Sequence, residues 1–144
     1  MTIVGSCLCG AARYEILQAP RTAELCHCST CRKAHGTAFS ANAEVPSASF
    51  RWIAGEDLLS EFASSPLRRR VFCSRCGSKL AIRRLDDPAT LAVALGTMDS
   101  DPGVQPSRHV FVDSKAEWDE IGDDLPRFRI YPGLEPEDPE RAPA

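Results

Sequence analysis

All seven cysteines of the chain fall into three tight groups: Cys7-Leu8-Cys9-Gly10, Cys26-His27-Cys28-Ser29-Thr30-Cys31 and Cys73-Ser74-Arg75-Cys76-Gly77. Thiolates two or three positions apart can converge on one cation, and tetrahedral zinc with Zn–S bonds of about 2.3 Å is the usual occupant of such clusters. The odd total carries further information. Four cysteines close one site, and three leave a second site with an open coordination position for water or substrate. The chemistry expected of this chain is therefore that of two zinc ions, one structural and one at an active site.

A disulfide framework is the rival reading, and the spacing disfavours it. Cysteines separated by one residue make a strained bridge, and seven thiols cannot all pair. The segment Met1-Thr2-Ile3-Val4-Gly5-Ser6 has no basic stretch leading into an apolar one, so no secretory signal is expected there. Reduced cysteines without such a signal point to the cytoplasm.

Composition narrows the partners. The chain has 144 residues, 43% of them apolar, with no apolar run long enough to span a membrane. The formal charge of −3 offers no general attraction to nucleic acid or to an anionic membrane, and seven zinc-bound thiolates would make the protein more acidic still. The basic run Arg68-Arg69-Arg70 beside the last cysteine pair resembles the setting of nucleic-acid-binding zinc ribbons. A run this short reads as the solvated face of a strand, so neither nucleic acid nor membrane is expected as a partner.

The elements that must position the cysteines read as short strands broken by turn chemistry. Ala12, Tyr14 and Ile16 alternate with Arg13 and Glu15, the period of a half-buried strand. Further strands are expected over 37–43, 50–53, 70–72, 80–83, 91–96 and 109–113, separated by Pro46, Gly55, Pro66, Asp86-Asp87-Pro88 and Asp101-Pro102-Gly103. Helical signals are brief. Ser29 or Thr30 is placed to cap a turn running to His35 and ending at Gly36, and residues 115–121 suggest a second. A mainly-β domain is predicted over residues 1–131, followed by a tail over 132–144 too poor in apolar residues to offset its ordering.

Division of the cysteines rests on glycine. Cys7–Gly10 and Cys73–Gly77 both end in Cys-Gly, where a positive φ lets backbone N–H groups fold around sulfur, so the two read as paired knuckles on one closed site. Spacing alone also permits Cys7 and Cys9 to join Cys26 and Cys28. In the remaining trio Cys31 precedes Arg32 and Lys33, and two cations beside a first helical turn favour thiolate. His27, His35 and His109 are available as a fourth ligand, but His27 is expected to point away, and the other two read as hydrogen-bonding residues.

These motifs together resemble the glutathione-dependent formaldehyde-activating enzyme family, which includes centromere protein V. The resemblance lies in Gly5-Ser6-Cys7-Leu8-Cys9-Gly10, in Cys26-His27-Cys28-Ser29-Thr30-Cys31-Arg32-Lys33 with Gly36 and Phe39, and in Phe72-Cys73-Ser74-Arg75-Cys76-Gly77. It continues through Ser107-Arg108-His109-Val110-Phe111-Val112, Lys115, Trp118 and Leu125-Pro126-Arg127-Phe128, and so covers roughly residues 5 to 130. One departure is Glu117, which precedes Trp118 where the family often has proline. The resemblance implies a β-tent fold of short antiparallel sheets, a structural zinc on Cys7, Cys9, Cys73 and Cys76, and a catalytic zinc on Cys26, Cys28 and Cys31. It also implies a carbon–sulfur lyase that forms or cleaves S-(hydroxymethyl)glutathione from glutathione and formaldehyde.

A thiol such as glutathione carries two carboxylates, for which Arg32 and Lys33 are the first candidate contacts, with Arg108 and Lys115 behind them. Trp118 and Phe39 are either cleft or core, and core is the commoner fate of aromatic residues in a small domain. The rival from another class is a noncatalytic zinc-binding interaction module.

Overall fold

The computed structural model describes residues 2–134, so residues 135–144 of the expected tail lie outside the described residues. The chain divides into two compact units, one built from residues up to Thr22 together with Asn42–Gln105, the other from Ala23–Ala41 and the chain from Pro106 onward. Secondary structure is mainly β, with one α-helix among the described residues. None of the described helices is long and apolar enough to cross a membrane.

In the first unit β1 (Ile3–Ser6), β2 (Arg13–Ile16) and β5 (Phe50–Ala54) form an antiparallel sheet in the order β1-β2-β5. Alternation in β2 works as the sequence suggests: Tyr14 and Ile16 are fully buried, while Arg13 is exposed and Glu15 pairs with Arg51. Tyr14 stacks on Phe50 at 5.1 Å and meets Trp52 edge-on at 5.9 Å, offset and T-shaped arrangements that suit aromatic quadrupoles. Its ring lies over Gly5 so closely that a Cβ there would stand 2.1 Å from Tyr14 Cζ. The packing thus requires glycine at that position. The Tyr14 hydroxyl meets Thr97 Oγ1 at 2.8 Å, which satisfies the one polar atom this buried ring brings with it.

The same unit holds an antiparallel ladder through β4 (Ser40–Pro46), β9 (Thr90–Ala94), β8 (Lys79–Arg84), β7 (Arg68–Cys73) and β6 (Leu59–Ser65). All five residues of β9 are buried, and Leu91–Ala94 read as an apolar run without alternation. Arg68, Arg69 and Arg70 lie along β7, but all three are half-buried and alternate between its faces, so they do not form the solvated face expected; Arg70 Nε donates to Ser64 Oγ at 3.0 Å. Arg68 pairs with Asp86 at 2.6 Å, and Arg69 reaches main-chain oxygens of Ser65, Pro66 and Arg68. On β8, Arg83 grips Glu61 of β6 with two hydrogen bonds of 2.6 and 2.8 Å. These contacts engage the guanidinium groups of Arg68, Arg69 and Arg83.

In the second unit β3 (Thr22–Cys26) and β10 (Pro106–Val110) pair in parallel, with Val110 opposite Cys26 and His109 opposite Leu25. Helix α1 (Ser29–His35) follows directly and ends at Gly36, as expected. Its cap is not Ser29 or Thr30, however. Cys28 is the N-cap residue, and its sulfur accepts the Cys31 N–H at 3.3 Å. Sulfur serves because it stands one position earlier, where extended backbone (ψ 152°) aims the side chain back at the first turn.

The second expected helix, 115–121, does not form. The chain makes a 3-10 turn over Val112–Ser114 and a turn at 117–118 instead. The ammonium group of Lys115 bonds the main-chain oxygens of Ala116 and Asp119, and the Asp119 N–H returns to the Ala116 oxygen, so the polar groups a helix would use are taken locally. The strand expected over 109–113 stops at Val110, because Phe111 adopts φ 57° and turns the chain. The strand expected over 37–43 begins only at Ser40 and runs on to Pro46.

Candidate metal centres and active site

Two local folds bring the first four cysteines together. Cys7 follows β1 and Cys73 ends β7, and each begins a tight turn: Gly10 N–H bonds the Cys7 oxygen at 2.9 Å, and Gly77 N–H bonds the Cys73 oxygen at 2.8 Å. Gly10 and Gly77 have φ of 76° and 77°, with open space where a Cβ would lie, so conformation and not crowding selects glycine at both knuckles. A hydrogen bond from Leu8 N–H to Ser78 Oγ, 2.8 Å long, helps join the two turns. The alternative in which Cys7 and Cys9 join the middle group is not what forms.

Cys7, Cys9, Cys73 and Cys76 have sulfurs that all lie within 4.8 Å of one another, and Cys26, Cys28 and Cys31 form a second such group. No cysteine is in a disulfide. The sulfurs of Cys7 and Cys9 are 3.5 Å apart and those of Cys9 and Cys73 3.9 Å apart. Four sulfurs about 2.3 Å from one ion at tetrahedral corners would stand about 3.8 Å from each other, so the donor set has the size as well as the softness that zinc requires. Backbone donors already face the sulfur: Ala12 N–H lies 3.3 Å from Cys7 Sγ.

Protonation differs between the groups for physical reasons. Cys76 is pulled down to about 5 by the Ser78 hydroxyl, then by the Ser78 and Cys9 N–H groups. Burial opposes ionisation of Cys7, yet the Ala12 N–H and the thiols of Cys9 and Cys73 bring it below the ordinary thiol value. The Ala11 N–H favours thiolate at Cys9, but the neighbouring Cys7 sulfur and burial push it up to about 11. In the second group, Cys26 is raised strongly by the sulfurs of Cys28 and Cys31 and by burial. At Cys28 the hydrogen bond with Cys26 favours thiolate, but Cys31 and burial outweigh it. Three crowded sulfurs cannot all carry charge without a cation, and a divalent ion fits that need.

Around this trio the structure separates the other predicted contacts. Arg32 follows Cys31 in α1 and is half-buried, and its Nε is buried without a hydrogen-bond partner among the described residues. Lys33 is exposed. Arg108 is engaged elsewhere in the unit, pairing with Glu24 at 2.8 Å and bonding the Tyr131 hydroxyl at 3.0 Å. Lys115 is turned onto main-chain oxygens. Trp118 is 72% exposed and so lies outside the core, whereas Phe39 packs on His27 at 5.2 Å.

None of His27, His35 and His109 joins the metal-competent group. His27 and His109 are instead buried together, with His27 Nε2 and His109 Nδ1 2.8 Å apart and His109 Nε2 3.0 Å from both carboxylate oxygens of Asp123. Burial first, then the neighbouring His109, holds His27 below the usual histidine range. Asp123 is lowered by the Leu125 N–H and then by His109. Sequence spacing carries no signal for this chain of groups, because residues 27, 109 and 123 meet only in the folded unit. Ser78 was equally silent.

The description of a glutathione-dependent formaldehyde-activating enzyme matches residues 2–114 as a family model. The chain belongs to this family. A Halomonas elongata protein named "Putative glutathione-dependent formaldehyde-activating enzyme" is 32% identical over 129 residues, covering 84% of this chain and 82% of its own. An uncharacterized lyase of Schizosaccharomyces pombe is 32% identical over 77 residues, 53% of each chain. A crystal structure of a Rhodobacter sphaeroides protein, 25% identical, superposes with a TM-score of 0.57 over 68% of this chain and 89% of that one. As a member of the formaldehyde-activating family the chain has an enzyme-like role, and its two cysteine groups could bind metal ions.

Proposed function

We propose that this protein is a zinc-dependent carbon–sulfur lyase acting on a thiol adduct, as in the formation or cleavage of S-(hydroxymethyl)glutathione. The observation that carries the reading is the second cysteine group: three sulfurs within reach of one ion, and no fourth protein ligand beside them among the described residues. A closed site would have only a structural use, whereas this one leaves a position for a substrate sulfur.

In the synthetic direction the S–H bond of the thiol breaks, a C–S bond forms to the formaldehyde carbon, and the carbonyl oxygen gains a proton to become the hydroxyl. Zinc would supply a template that keeps the substrate sulfur as thiolate. Cys26, Cys28 and Cys31 hold that centre, and the short helix α1 fixes Cys31 against the Cys28 cap. Arg32, with its buried Nε lacking a hydrogen-bond partner among the described residues, is the residue suited to orient a glutathione carboxylate; Lys33, exposed in the same turn, adds positive charge. Positioning carries most of the rate. A free thiol at neutral pH is already a few per cent ionised, so full ionisation gains only about 2 kcal/mol, against roughly 7–11 kcal/mol from alignment.

Cobalt substitution tests this directly. With two metals bound, glutathione is expected to change the thiolate charge-transfer bands, because a further sulfur enters the coordination sphere. Arg32→Ala should weaken glutathione binding by roughly 1.5–3 kcal/mol while leaving cysteamine, which has no carboxylate, nearly unaffected. Silence of the spectrum toward every small thiol would instead support a noncatalytic zinc module.

A further inference from the structure

Three hydrogen-bonded groups the mechanism does not use are linked to the open cysteine group through His27. Asp123 is a side chain 47% exposed; His109 and His27 are buried, and His27 lies in sequence between Cys26 and Cys28. The order of donors can be deduced along the chain. A carboxylate only accepts, so His109 Nε2 carries the hydrogen directed at Asp123, 3.0 Å away. In the neutral ring His109 Nδ1 is then a lone pair, and His27 Nε2, 2.8 Å from it, must be the donor. His27 Nδ1 is left bare. It faces Asp119 Oδ2 across 3.9 Å, too far for a hydrogen bond, and neither atom has such a partner among the described residues.

We infer that Asp123, acting through His109, is a positioning residue that locks His27 in its Nε2–H tautomer and so holds the Cys26–Cys28 segment in the conformation that presents both sulfurs to one metal ion. The backbone supports the same segment: His27 N–H bonds the Val110 oxygen at 3.0 Å, and Val110 is opposite Cys26 in the β3–β10 pair. Backbone and imidazole therefore fix the segment at the residue between two ligands, where a rotation would move both sulfurs. Phe39, whose ring packs 5.2 Å from that of His27, limits the remaining freedom. Indirect support of this kind governs how well ligands are presented, and its loss typically costs about 10–100-fold in metal affinity.

This rests on reading Cys26, Cys28 and Cys31 as a metal centre, and the test separates the two. The zinc-loaded full chain is compared with Asp123→Ala, a change at the surface, by competition with a chelator and by 15N NMR of the imidazole nitrogens. The expected result is that one of two zinc ions is withdrawn about 10–100-fold more readily while the other is unaffected, and that His27 passes from one tautomer to a mixture. Asp123→Asn, which keeps an oxygen to accept the His109 N–H, should restore most of both. A wild-type His27 carrying its hydrogen on Nδ1, or Asp123→Ala with unchanged tautomer and unchanged zinc withdrawal, would overturn the inference alone. A wild-type chain that holds only one zinc would remove the centre itself, and both readings with it.

Discussion

Cys73→Ser and Cys76→Ser are each expected to leave the protein largely unfolded or insoluble at ordinary temperature. The two knuckles that carry the four-cysteine group are 64 residues apart along the chain where Cys9 meets Cys73, and the contacts described between them are the Leu8–Ser78 hydrogen bond and interactions of the cysteine sulfurs themselves. A structural zinc site contributes on the order of 10–16 kcal/mol in small zinc-folded peptides, as much as the whole net stability of a typical domain, about 5–15 kcal/mol. Loss of one ligand weakens that contribution enough to cancel the net. Thermal unfolding followed by circular dichroism, with zinc counted per chain, reads the effect; a melting temperature within a few degrees of wild type would show that the β-ladder stands without the metal. Chelation of zinc from the wild-type chain is expected to reproduce the same loss.

Cys31→Ser should have the opposite profile. Cys31 is buried in the first turn of α1, and serine is close to it in volume, so packing changes little and the melting temperature should stay near wild type. What is lost is one of three sulfurs that must meet at a point. Misplacement by about 1 Å can cost about 100-fold in rate, and removal of a ligand is expected to lower thiol-dependent formaldehyde turnover by at least that factor. Turnover, zinc content and melting temperature measured on the same preparation check this. Activity close to wild type would move the chemistry away from the three-cysteine group, and unfolding as severe as that of Cys73→Ser would erase the distinction between a structural and an open site.

The fold was legible where one side chain pattern served one local purpose. The alternation of β2, the Cys-Gly knuckles and the end of α1 at Gly36 each express a local rule, a period of two or a positive φ, and each is found where the residues suggest. Strands β1, β3 and β6 are not signalled by the sequence because they are short and their hydrophobic pattern is weak; β6, for instance, is Leu-Ser-Glu-Phe-Ala-Ser-Ser. Residues 115–121 misled because intrinsic helix preference ignores what a lysine can do with nearby carbonyl groups.

For the candidate site, the sequence by itself determined the type and number of the candidate donors, seven cysteines in three tight groups, since these are properties of composition and spacing. Which cysteines share a group was left open by spacing and was decided by the β1–β2 and β7–β8 turns, which bring Cys7 and Cys9 against Cys73 and Cys76. Only the tertiary structure could seat Asp123, His109 and His27 in one hydrogen-bonded line, occupy Arg108 and Lys115 with other partners, and leave Arg32 with a buried nitrogen unpaired among the described residues. The physical reason is range. Turn chemistry and metal spacing act over a few residues and are written locally, whereas the partner of a buried polar atom is chosen by the whole fold around it.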